Sequence, residues 1–386
     1  MEKKITKIEA EQLNKIATLY KKNLYKDALF LAHDSKQKNS ALDSIAFFHN
    51  LTGLINLTLK DWDQSIKDFE KALILNKNFA EAHFNIGLAY YDMGELEKSF
   101  QKFLKAINLK KDFKKPRDAI IQILTFYKSS LPEKDNFSAA NNKLQKLSFN
   151  IDFSNIISDE KIIIFYDRCK SIVSKYISDF SFSKNQIYRR NNIDLNCERH
   201  KKVFNQFNAI PKFCFGCFKV VIELETALDL IKLLLIFDKF KFLDKFDRKC
   251  MIDKKLKLYK GYIYCSSIEK VKYVAEQIKP ILKKIFVKKI KLITKRGCTE
   301  FAVSYPDYSE IKKDHKKMMS YKEEWSKHEK IIDQQNYKDN LEKKRNKQKS
   351  LKGITLSDFL IMHNWIMYAN SIKDLTTQKL MDEPSK

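Results

Sequence analysis

Along the first third of the chain, apolar residues return at the three- and four-residue steps of amphipathic helices, and small and aromatic residues return at a fixed longer distance. A shift of 34 residues pairs Gly53 with Gly87, Ser65 with Ser99, Phe69 with Phe103, Ala72 with Ala106 and Leu75 with Leu109. That period is the length of a helix-turn-helix unit that cannot bury its apolar face alone and stacks on its neighbours. In NIGLAYYDMGELEKSFQKFLKAINL, small Gly87, Ser99 and Ala106 let two antiparallel helices approach closely, while Ile86, Tyr90, Phe103 and Ile107 fill the seam. The pattern predicts full repeats over 46–78 and 80–113. It also predicts an earlier degenerate pair, with Tyr20 and a helix over 25–33, three residues out of phase, and a capping helix over 116–129.

Past residue 129 the pattern changes. Residues 129–150 are polar and Asn-rich with Pro132 as a breaker, which predicts a domain boundary. The second half of EKIIIFYDRCKSIVSKYISDF reads as helix, and alternating strands and helices follow. FKVVIEL is a strand, ETALDLIKLLLIFDKFKFL a helix, RKCMIDKK and YKGYIYC strands. SSIEKVKYVAEQIKPILKKI reads as an amphipathic helix capped at Ser266 and broken at Pro280, and KKIKLITKRGCTEFAVSY as one or two strands. The expected architecture is an antiparallel helical-repeat superhelix over 1–130, a linker over 131–150, and a Cys- and Arg-rich α+β domain over 151–308. That domain is expected in the β-α-β-β-α-β order of a ferredoxin-like sandwich. The remainder, 309–386, reads as a charged helix packed through Met318, Trp325 and Ile331, then a docking helix after Gly353. The docking helix has an apolar face of Phe359, Met362, Trp365, Ile366 and Tyr368.

Composition adjusts this picture in two respects. The 386 residues carry a formal charge of +26, which points toward polyanions such as nucleic acid. Only eight of the 74 basic residues are Arg, however, and abundant Asn, Ile and Phe suggest AT-rich coding, which raises Lys without any such partner. The β-α-β-β-α-β order is shared with RNA-recognition domains, but Cys250 with Ile252, or Tyr262 with Tyr264, offers only part of a base-stacking platform. The first 22 residues lack the apolar stretch of a secretory signal, and the apolar runs are too short to span a bilayer, so a cytoplasmic protein with reduced cysteines is expected.

The small and aromatic positions of the two repeats resemble the tetratricopeptide repeat family over roughly the first 130 residues. The sequence departs from that family where Lys77 and Lys111 replace its usual Pro and where Asn56 replaces the first-helix Tyr. The resemblance implies a concave surface, lined by the first helix of each pair, that binds a protein or peptide. Position by position, it implies Asn50, Leu54 and Leu57 from one repeat and Phe84, Leu88 and Tyr91 from the next as the partner-binding groove. This set is more apolar than a clamp for C-terminal carboxylates.

Chemistry-bearing residues gather in the second region. Cys197-x2-His200 and Cys214-x2-Cys217, thirteen residues apart, have the arithmetic of a tetrahedral zinc site. Gly216 is expected to give the knuckle a left-handed turn. Other readings stay open: a packed thiol core, redox or catalytic thiol chemistry, and a cluster of other composition, iron-sulfur included, if Cys250, Cys265 and Cys298 approach the knuckle. Arg189, Arg190, Arg248 and Arg296 are the expected anion clamps, with Arg199 and His200 as a further candidate pair, because a retained guanidinium offers a bidentate fork. No Gly-rich phosphate loop, nucleophile elbow or His-Glu-x-x-His motif is present. The sequence therefore reads as an interaction adaptor with a candidate zinc site. The alternatives are an enzyme that holds an anionic or protein-attached substrate through residues 189–298, or a nucleic-acid-binding protein.

Overall fold

The structure is a computed structural model that describes residues 5–127, 135–147, 156–189, 197–237, 240, 250–255, 258–309, 311, 318–335 and 353–380. The chain divides into two compact units, Met1–Ser130 and Leu131–Lys386. No helix among the described residues is long and apolar enough to cross a membrane.

Among the described residues the first unit has seven α-helices: α1 Lys7–Lys21, α2 Tyr25–Lys38, α3 Ala46–Thr58, α4 Trp62–Leu75, α5 Ala80–Met93, α6 Leu96–Leu109 and α7 Lys114–Ile123. The 34-residue period becomes a steric relation. A Cβ placed on Gly53 would lie 2.6 Å from the Phe69 ring, and one on Gly87 would lie 2.4 Å from the Phe103 ring. The glycines of α3 and α5 thus receive the aromatic rings of α4 and α6, and Ser99 ties the second pair by donating to the Gly87 carbonyl at 2.8 Å. Asn56, the departure from the family pattern, is buried and donates to Asp68 on α4 at 2.8 Å, so a polar tie stands where an aromatic would pack.

The phase offset of the first pair also has a structural origin. Asn23 (φ 62), Lys60 (φ 64) and Gly94 (φ 83) turn the chain between the two helices of successive pairs. In each case the following N–H returns to a carbonyl five residues back: Leu24 to Leu19, Asp61 to Asn56 and Glu95 to Tyr90. The extra residues lie between α2 and α3, where the connection 39–45 contains the 3-10 turn Ser40–Ser44; the connection 76–79 between α4 and α5 is three residues shorter. Leu42 and Ile45 from this insertion are buried with Leu13, Ile16, Ala28, Phe48 and Ile55, so it is part of the core. The expected capping helix begins at Lys114 instead of Pro116, with the proline in the first turn, where its missing N–H has no intrahelical acceptor to lose.

The second unit contains α8 Asn136–Lys146, α9 Asp159–Ser174, α10 Cys197–Phe207, the short α11 Lys212–Phe215, α12 Ala227–Phe237, α13 Ile268–Ile285, the short α14 Pro306–Ser309, α15 Ser326–Gln335 and α16 Leu356–Ser371. Its strands are β1 Gln186–Arg189, β2 Phe218–Leu224, β3 Cys250–Lys255, β4 Leu258–Cys265 and β5 Lys291–Arg296. They form one five-stranded sheet in the order β1-β3-β4-β2-β5, with every neighbouring pair antiparallel. The sequence pattern missed β1, a short strand whose alternation is hard to see in four residues. Helix α13 is capped by Ser267 rather than Ser266 and continues through Pro280. Pro280 lies on the exposed side, where water can satisfy the carbonyl its ring leaves unbonded.

The two sheet faces differ. Ile222, Gly261 and Ile263 face α12, and a Cβ on Gly261 would stand 2.4 Å from Leu233 of that helix. On the opposite face the register lines up Tyr188, Tyr262, Val221 and Ile293 in one cross-strand row. The next row is polar: Gln186 donates to Asp253 at 3.0 Å, and both Lys260 and Lys291 reach Glu223 at 2.9 Å. A second small core joins Val203, Ile210, Cys214, Phe301, Tyr308, Trp325 and Ile332. The residue of α15 that enters it is Ile332, whereas Ile331, the expected packing residue, is 39% exposed.

If the missing side chain at Gly87 sets the spacing of α5 and α6, Gly87→Ala will lower unfolding free energy in urea by about 1–3 kcal/mol, because the Phe103 ring is fully buried and has no free volume to enter.

Candidate functional site

In the repeat unit, the expected groove residues separate into two groups. Asn50 on α3 is buried and its side-chain oxygen accepts a hydrogen bond from Asn85 on α5 at 2.9 Å, which links the first helices of successive repeats. Phe84 is half-buried, and its ring centroid lies 5.5 Å from that of Phe103 and 5.3 Å from that of Phe113. Leu54, Leu57, Leu88 and Tyr91 are half-buried on the first helices. Leu54 and Leu57, like Leu88 and Tyr91, are three residues apart and share a helix face. Apolar surface at these four positions and at Phe84 thus reaches solvent, while Asn50 holds the helices that carry it.

The arginines are corrected by their partners. Arg189 is 0% exposed, and its two terminal nitrogens donate to the Asp358 carboxylate at 3.1 and 3.0 Å. Asp358 is also the third residue of α16 and accepts the Thr355 N–H at 2.8 Å, so one carboxylate both caps that helix and pairs with the strand β1. Arg296 is 3% exposed. It donates to the carbonyls of Tyr308 and Met319 at 3.2 Å each and to that of Phe215, and its guanidinium lies 4.9–5.4 Å from the ring centroids of Phe218, Tyr308 and Phe215. Neither arginine offers a fork to an incoming anion. Arg199 binds Asp333 and Glu329 of α15, and His200 is buried with its ring stacked on Phe213, so this pair holds α10 in place. Arg190 and Arg248 lie outside the described residues.

The cysteines are arranged differently from the zinc expectation. Among the described residues, no three His, Cys, Asp or Glu side chains stand in metal-binding geometry, so Cys197, His200, Cys214 and Cys217 are not gathered as a ligand set. The knuckle glycine, Gly216, has φ −94 and room for a side chain, so it needs no left-handed turn. The glycine under constraint is Gly297. A Cβ there would meet the Cys217 sulfur at 2.4 Å, and its N–H donates to the Cys217 carbonyl at 2.8 Å. This approach brings Cys298 to Cys214. The two thiols are hydrogen-bonded, and the hydrogen bond first, then burial, holds the Cys214 proton on. Cys298 accepts that bond and is held below the usual thiol range.

Lys219, which the sequence reading passed over, completes the region. It is buried on β2, donates to the Gly297 carbonyl at 2.6 Å, and lies 5.3 and 5.8 Å from the ring centroids of Tyr262 and Tyr264. Burial, then the charge of Lys295, pushes its ammonium down to about 8. The signal was present: a lysine in FKVVIEL interrupts an otherwise apolar start to a central strand. Burial raises Tyr264 and Tyr308 well above the phenol range, which keeps both protonated beside the thiols.

Two measurements check these assignments. Asp358→Ala leaves Arg189 buried without its counter-charge and is expected to destabilise the second unit by about 3–5 kcal/mol in chemical denaturation. For Lys219 the pH dependence has a defined sign. Its folded value of about 8 lies below the ordinary 10.5, so between these limits the unfolded chain holds a proton that the folded chain has lost. Stability therefore gains with pH across that window, and the wild type is expected to strengthen relative to Lys219→Met from pH 8 to 10.5 by an amount on the order of 2 kcal/mol.

Comparison with known proteins bears on the first unit. Models of the TPR repeat and of the tetratricopeptide repeat match residues 53–94 and 80–113. The chain is 39% identical over 75 residues to human superkiller complex protein 3; the match covers 18% of this chain and 5% of that protein. Among solved structures, the crystal structure of MamA is 23% identical, covers 29% of this chain and 64% of its own, and has a TM-score of 0.27. The second TPR domain of human RPAP3, solved with an HSP70 peptide, is 17% identical over 29% of this chain and 91% of its own, with a TM-score of 0.27. The chain carries a segment of tetratricopeptide repeats over residues 53–113.

Proposed function

We propose that the protein is an interaction adaptor that holds an extended segment of a partner protein along the first helices of its repeats. The observation that carries this reading is the pairing of tandem repeats with uncovered apolar surface. Leu54 and Leu57 on α3, and Leu88 and Tyr91 on α5, remain half-buried, while the Asn50–Asn85 hydrogen bond at 2.9 Å joins the two helices. A partner segment rich in apolar residues gains from removing this surface from water. The helices are already packed, so little ordering opposes binding on this side.

The second unit is read as a split β-α-β-β-α-β sandwich formed by β2, α12, β3, β4, α13 and β5, with β1 added beside β3. Supporting this are the order β3-β4-β2-β5 and the antiparallel register of each neighbouring pair. In the adaptor reading this unit is the part the repeats bring to a partner.

Selection of displayed peptides on the full-length chain tests the groove. Peptides enriched on the wild type are expected to lose binding by more than about tenfold on Leu54→Glu/Leu88→Glu, with the thermal midpoint of the double variant within about 5 °C of the wild type. Equal binding by both proteins would remove this surface from the proposal.

A further inference from the structure

We infer that Cys214 and Cys298 form a dithiol site that reacts with low-molecular-weight disulfides and closes into an internal disulfide. Such a bond would join the short helix before β2 to the turn after β5. The inference starts from position: Cys298 packs against the small core that contains Cys214, although the two lie 84 residues apart in the chain (298 − 214), and each thiol shifts the other's hold on its proton. Cys217 and Cys197 also stand close enough to act on Cys214, but the hydrogen-bonded partner of that thiol is Cys298.

Both backbones are held. On one side, the Cys214 N–H donates to Pro211 at 2.9 Å, and the Cys214 carbonyl accepts from Cys217 at 3.1 Å and from the Tyr308 hydroxyl at 3.0 Å. On the other, Gly297 is bound at both its N–H and its carbonyl, by Cys217 at 2.8 Å and by Lys219 at 2.6 Å. Next to it Arg296 is anchored on three carbonyls. Sulfurs brought into one small core from two fixed backbones lose little conformational freedom in closing a bond.

Exposure sets the order of events. Cys298 is half-buried and Cys214 is 1% exposed, so an incoming disulfide reaches Cys298 first. The Cys298 thiolate attacks one sulfur of RSSR. Its S–S bond breaks, and RS⁻ leaves and takes up the proton that Cys298 gave to solvent. Cys214 then loses its proton and attacks the Cys298 sulfur of the mixed disulfide, which releases the second RS⁻; that thiolate takes up the Cys214 proton. In total the protein dithiol loses two electrons and two protons, and RSSR is reduced to two RSH.

The test uses the full-length protein, reduced and desalted without oxygen, then treated with oxidised glutathione. The expected result is a loss of two hydrogens by intact mass, with one cross-linked peptide joining Cys214 to Cys298 after proteolysis without reductant. Cys214→Ser is expected to stop at a glutathione adduct on Cys298, because the thiol that displaces it is gone. Three results overturn the site: no change in mass, a bridge between Cys214 and Cys217 or between any other pair, or a stoichiometric zinc ion in the anaerobic protein that protects both thiols. The peptide map of the wild type decides the matter even where a variant fails to fold.

Discussion

Close backbone approach, permitted only where a side chain is missing, organises both units. In the repeats, the rings of Phe69 and Phe103 occupy the space that a Cβ on Gly53 or Gly87 would need. That contact sets how near the two helices of a pair lie, and so how the next pair stacks on them. In the second unit, Gly297 lets the turn after β5 press against Cys217, and the same approach delivers Cys298 to Cys214 and the Gly297 carbonyl to Lys219. A methyl group at either place would push apart elements whose separation everything nearby assumes.

Around these contacts, the buried charges are used as internal ties. Arg189 with Asp358, Arg199 with Asp333 and Glu329, and Arg296 with three carbonyls each join segments far apart in the chain. A guanidinium suits this role because its planar donors reach several acceptors at once while its faces lie against rings, as Arg296 does between Phe215, Phe218 and Tyr308. Lysines pair with carboxylates in the Lys260–Glu223–Lys291 row, and buried Lys219 ties β2 to the Gly297 carbonyl.

The repeat unit was legible because its information is local and recurs. A glycine, an aromatic and a small residue at the same offsets in two successive stretches define the same helix pair twice, and each reading checks the other. The phase offset of the first pair was visible as well, although its cause, a 3-10 turn that adds Leu42 and Ile45 to the core, was not. Strand β2 was readable from its β-rich residues and β4 from alternation, whereas β1 was too short to show a period. Of the expected groove residues, Asn50 is buried in a hydrogen bond with Asn85, a pairing between repeats that spacing within one helix does not reveal.

The amino-acid sequence by itself determined the helical repeats, the main strands and the concentration of arginine and cysteine between residues 189 and 298, since each depends on residue type and short-range spacing. Only the tertiary structure decided what those residues do. Spacing suggested Cys197, His200, Cys214 and Cys217 as a set, yet sheet register and the turn at Gly297 bring Cys298 to Cys214 and leave His200 on Phe213. Spacing likewise left the arginines open to an outside anion, and their acceptors proved to be carbonyls and carboxylates more than ten residues away. Partners that distant are chosen by packing and strand order, which no local pattern records.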